Sequence, residues 1–138
     1  MTDDRLGDII NEIQHQGDTS EAMYAVAPHL LALAEATHPK AAHQFVIHAG
    51  SIHCASQTKS AVQCPDDLRA EFDSSAEVGR EMLMRMLPAA EDLDDFKYKV
   101  AALAGFMEHG RFGLVIEAVE FFDDQFYHSA FEEPIPDA

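Results

Sequence analysis

The sequence predicts an all-α fold, a short α-solenoid of about six helices in stacked antiparallel pairs. Three observations carry this. Apolar residues recur at helical spacing almost throughout, no alternating stretch is long enough for a strand, and two apolar segments repeat each other 55 residues apart.

Leu6, Ile9, Ile10 and Ile13 follow the i, i+3, i+4, i+7 pattern and predict a first helix over about residues 3–16. Gly17 is a natural C-terminal stop, and Asp18, Thr19 and Ser20 offer N-cap oxygens to the next helix. That second helix runs to about Thr37. Pro28 falls inside it, removes a backbone donor and predicts a kink or a fresh start. His38-Pro39 opens a third helix, about 39–57, with Phe45, Val46, Ala49, Ile52 and His53 on its apolar face.

After a loop over residues 58–64, Pro65 suits the first position of a fourth helix, about 65–87. Its buried stripe reads Leu68, Phe72, Ser75, Gly79, Met82, Leu83 and Met86. A link over 88–92 leads to a fifth helix, about 93–109, expected to bury Phe96, Val100, Leu103, Ala104 and Met107 and to end at Gly110. The sixth, about 111–127, is expected to bury Phe112, Val115, Ile116, Val119 and Phe122. Residues 1–131 form one domain on this reading, and 132–138, with two prolines, an extended tail.

The repeat aligns Val46-Ile-His-Ala-Gly-Ser-Ile with Ala101-Ala-Leu-Ala-Gly-Phe-Met. Each places Ala-Gly at the centre of an apolar helix, where glycine costs about 1 kcal/mol against alanine. Close helix–helix approach is the physical reason to keep it there.

Charge separates the chain into regions. Twenty-five acidic residues face nine basic ones, for a net charge of −16 on 138 residues, yet residues 36–65 hold no Asp or Glu. Elsewhere the acids form runs, such as Asp66-Asp67 and Glu91-Asp92-Leu93-Asp94-Asp95. This balance argues against nucleic-acid and anionic-membrane partners and favours a basic protein. With 47% apolar residues the acidity does not imply disorder. No run reaches the roughly 20 apolar residues of a membrane helix, and the N-terminus lacks a signal-peptide layout. A cytoplasmic protein with Cys54 and Cys64 as reduced thiols is the resulting expectation. The acid-free segment is expected to be the central, most buried layer or a dimer contact, burial being the leading reading.

His15-Gln16-Gly17-Asp18, Ala25-Val26-Ala27-Pro28-His29-Leu30 and Leu93-Asp-Asp-Phe-Lys-Tyr-Lys-Val-Ala-Ala-Leu-Ala together resemble the small bacterial HEAT-like helical-repeat proteins, over about residues 5–125. Lys97 and Lys99 stand where such units often carry Arg. Proteins of this kind mostly lack assigned activities, and some resemble immunity proteins, which bind and silence a toxin made by the same cell. The resemblance implies binding and transfers no catalytic residue.

The residues agree. His38, His43, His48 and His53 recur every five positions, a net turn of about 140° per step, so no two share a helical face as metal pairs require. A mixed site of His53, Cys54 and Cys64 needs the loop to fold back. Neither cysteine has a nucleophile signature, and Gly-rich phosphate loops and G-x-S-x-G are absent. No metal, cofactor or catalytic residue is assigned. The His15-Gln16-Gly17-Asp18 turn reads as a capping and loop-ordering motif.

The acidic stripes are the better lead. Asp73, Glu77 and Glu81 fall at i, i+4, i+8, and Glu117, Glu120 and Asp124 at i, i+3, i+7 with Phe121 among them. Like charges at that spacing oppose the helix slightly, so the stripes are either a solubilising face or a wall for a basic partner with Phe121 as anchor. The leading expectation is a non-catalytic interaction domain occluding a basic, nuclease-like toxin domain. A small-ligand or metal-binding domain is the alternative, and a carboxylate/His hydrolase a further one.

Overall fold

A computed structural model of the protein describes residues 20–119. Its regular structure is all helical: α1 (Met23–Ala36), α2 (Pro39–Ser56), α3 (Asp66–Met86), a 3-10 turn (Leu87–Ala89), α4 (Leu93–Phe106) and α5 (Gly110–Ala118). No helix among the described residues is long and apolar enough to cross a membrane. The first predicted helix and the 132–138 tail lie outside the described residues. Five helices are therefore described, and the six-helix arrangement in stacked pairs goes beyond them.

The acid-free segment supplies the centre. α2 packs against all four other helices, while α1 also meets α3, and α4 meets α3 and α5. A carboxylate on the faces so enclosed would go unsolvated, and the helix carries none. Val46, Ala49, Ile52 and Cys54 are fully buried. His38 caps the helix, its Nδ1 accepting from the Lys40 amide, and Pro39 follows at a position that needs no donor. α3 buries Phe72, Ser75, Gly79, Met82 and Leu83, five of the seven residues of the predicted stripe, with Leu68 and Met86 partly buried. It begins at Asp66, with Pro65 as N-cap rather than first helical residue.

α1 runs through Pro28 without a break. The proline forfeits one backbone hydrogen bond, but Ala27, Leu30, Leu31 and Ala34 around it are each at most 4% exposed. Burial of that face outweighs one missing bond.

α4 and α5 differ more from expectation. α4 buries Lys97, Lys99, Ala101, Ala102, Gly105 and Phe106, while Phe96 and Met107 are exposed. α5 buries Gly110 and Gly113 and leaves Phe112, Val115 and Val119 outward; it ends at Ala118, with Val119 extended. One cause explains both. The contact surfaces are made of the smallest residues, so the backbones approach closely and the bulky apolar side chains are excluded from the seam. A Cβ on Gly113 would stand 2.6 Å from the Ala101 carbonyl oxygen and 2.7 Å from Cys54 Sγ.

Candidate functional site

A cleft of about 680 Å³ opens between the C-terminal end of α2, the middle of α3 and the elbow joining α4 to α5. Its floor is aromatic. The His53 ring lies flat on Phe72, with centroids 4.1 Å apart and planes 9° apart, and Phe106 leans against it at 5.1 Å. Tyr24 meets the same Phe72 edge-on at 4.8 Å, and its hydroxyl donates to the Val62 carbonyl, tying the α2–α3 loop to α1.

His53 is 3% exposed, and its Nε2 lies 2.9 Å from Ser75 Oγ. Ser75 commits its hydroxyl proton to the Phe72 carbonyl at 2.6 Å, so Nε2 carries a proton and donates to the serine. Burial lowers the His53 pKa to about 4, and the ring is neutral at neutral pH. Neither partner is poised for catalysis: the serine is a donor already spent, and the imidazole does not protonate in the working range.

Cys54, the residue after His53, turns its thiol into the seam with α4 and α5. Its thiol donates to the Ala101 carbonyl at 3.4 Å, and burial pushes it up to about 12. Such a thiol is not a nucleophile. Cys54 and Cys64 are both free, and they do not assemble with His53: among the described residues no group of three His, Cys, Asp or Glu could hold a metal ion.

The elbow is tightly specified. Gln57 Nε2 donates to the Gly105 carbonyl at 2.8 Å and its Oε1 accepts from the Gly110 amide at 2.6 Å, so one side chain clamps the end of α4 to the start of α5. Gly110 thus opens α5 rather than closing α4. The chain reverses two residues earlier, where the His109 amide bonds the Ala104 carbonyl at 2.8 Å and the Glu108 amide the Gly105 carbonyl at 3.3 Å. That motif needs a left-handed residue at its turn, and here it is Glu108, with φ of 63°. A glycine would adopt this conformation freely; a glutamate holds it at a cost of about 1 kcal/mol or more.

Asp73 lines the cleft and begins the predicted acidic row. Asp73, Glu77 and Glu81 are all exposed, and none forms an ion pair with another described residue. Met84, three residues beyond Glu81 on the same face, is 59% exposed. Glu117 is engaged within the fold instead. It is half-buried, burial raises its carboxyl pKa, and Ser51 and Lys97 partly offset this. Glu120, Phe121 and Asp124 lie outside the described residues, as do His15, Gln16, Gly17 and Asp18.

Glu108 and Phe112 of the cleft carry no sequence signal: the turn that ends α4 sets the left-handed Glu108, and the small-residue seam turns Phe112 outward. Lys97 and Lys99 are buried polar anchors. Lys97 Nζ bonds the carbonyls of Glu117 and Val119 at 3.3 and 3.1 Å, closing the end of α5.

Compared with known proteins, the chain matches no family model, no curated protein and no solved structure.

Proposed function

We propose that this protein is a non-catalytic interaction domain, a short HEAT-like solenoid that binds a basic protein over the outer face of α3. The observation that carries the reading is the row Asp73, Glu77 and Glu81, exposed and without ion-pair partners among the described residues, with Met84 continuing it. Six carboxylates stand on α3 against three arginines. Repelling carboxylates cost a helix a few tenths of a kcal/mol per pair, a cost relieved when cations meet them. Met84 supplies an exposed apolar contact at the end of the charged row, a candidate interface anchor.

The partner that fits best is a toxin domain of nuclease-like chemistry, whose lysines and arginines hold phosphates and would be covered by this face. Inhibition is then by occlusion, with the net negative charge speeding encounter. Capture from native host lysate at low and at high salt identifies the partner. Kinetics with that partner then test the surface. Glu77→Lys with Glu81→Lys is expected to slow association several-fold and to flatten its salt dependence. Unchanged association and salt dependence would remove the α3 face from consideration.

A further inference from the structure

Resting on that reading, we propose that the cleft beside the acidic row receives one lysine or arginine side chain of the basic partner, its charge held between Asp73 and Glu108 and its stem laid along Phe112. Asp73 of α3 and Glu108 of the elbow both line the cleft, so two carboxylates from different elements border it. Phe112 lines the same space and is 62% exposed, leaving most of its ring for contact. An aromatic ring with flanking carboxylates is complementary to a cation carried on an aliphatic stem. At about 680 Å³ the cleft lies in the size range of sites that enclose a small ligand, ample for one side chain.

The electrostatics favour a cation. His53 on the floor is neutral at neutral pH, and Arg111 is the single guanidinium among the lining residues against two carboxylates. The Gln57 clamp keeps the elbow in place, so the Glu108 carboxylate is offered by a fixed wall.

The test uses the full chain, labelled with ¹⁵N, titrated with acetyl-arginine methylamide and in parallel with acetyl-norleucine methylamide, its uncharged counterpart. The arginine probe is expected to shift the amides of Glu108, Phe112 and Ser56 saturably, and norleucine to leave them unmoved. Asp73→Asn should weaken the arginine probe about threefold, the scale of one exposed charge pair. Glu108→Gly should weaken it similarly while raising the thermal midpoint, which separates lost binding from lost fold. Equal shifts with norleucine, or undiminished binding by Glu108→Gly, would overturn the cation assignment. A hexa-arginine peptide distinguishes the two readings. Shifts confined to Glu77 and Glu81 would sink the cleft and leave the α3 face standing, and no shift anywhere would sink both.

Discussion

Gly50 and Ala102 meet so closely that a methyl group on the glycine would stand 2.3 Å from the alanine Cβ and 2.6 Å from its Cα. The contact is reciprocated one turn on, where a Cβ on Gly105 would reach the Gly50 carbonyl oxygen at 2.5 Å. Backbone lies against backbone here, so neither side can yield by rotating a side chain. Gly50→Ala gains about 1 kcal/mol of helix propensity but forces α2 and α4 apart, and overpacking costs about 1–3 kcal/mol or more. The expected outcome is a net loss of about 1–2 kcal/mol by urea unfolding. A stabilised variant would show that the two helices separate at no cost.

Lys99 is fully buried, yet its ammonium is satisfied: Nζ lies 2.8 Å from Asp95 Oδ2 and 2.8 Å from His43 Nδ1. Burial alone would raise the Asp95 carboxyl, but the hydrogen bonds from Lys99 and the Glu91 amide, with the lysine's charge, hold it below its ordinary range. Desolvation by burial pushes His43 down and the Lys99 charge adds to this, and its Nδ1 accepts from the Lys99 ammonium. The two single substitutions therefore differ sharply. Asp95→Ala strands a buried cation and should cost about 3 kcal/mol, whereas Lys99→Met replaces the stem by one of similar volume and should stay within about 1 kcal/mol. Equal losses in a denaturant series would mean that the pair itself, not the stranded charge, sets the cost.

What was legible in the sequence depended on residue size. α3 reads correctly because its contacts are made by large apolar groups, Phe72, Met82 and Leu83, so the apolar stripe and the buried stripe coincide. The centrality of α2 was legible through charge, as a segment without carboxylates. α4 and α5 read wrongly because their seams are built from Gly50, Ala102, Gly105 and Gly113, which hydrophobicity barely registers. The repeated Ala-Gly pairs were the available signal: they marked close helix–helix approach, but neither that α2 and α4 meet there nor the rotation this imposes. Of the candidate site, the exposed row Asp73, Glu77 and Glu81 was legible, and the cleft was not. The cleft depends on a left-handed Glu108 and an outward Phe112, both set by tertiary packing.

His53 makes the fold acid-sensitive in a predictable window. In the unfolded chain the ring titrates near 6.5, while burial between Phe72 and Phe106 lowers the folded value to about 4. Above pH 6.5 the ring is neutral in both states and its contribution is fully present. As pH falls below 6.5 the unfolded chain binds a proton that the folded ring refuses, and stability drops by up to about 1.4 kcal/mol per pH unit until the folded ring also protonates near 4. The cumulative loss is on the order of 3 kcal/mol. His48, also lowered by burial, adds in the same direction. His53→Phe keeps the stack on Phe72 and removes the proton site, at a modest cost near neutral pH because Ser75 still donates to the Phe72 carbonyl. Urea unfolding of both proteins at pH 7 and pH 4.5 isolates this group, since the carboxylates contribute alike to each. The wild type should lose about 2–3 kcal/mol more than the variant between the two pH values. Parallel losses would mean that the folded ring takes up its proton near 6.5, and that the floor of the cleft opens to water.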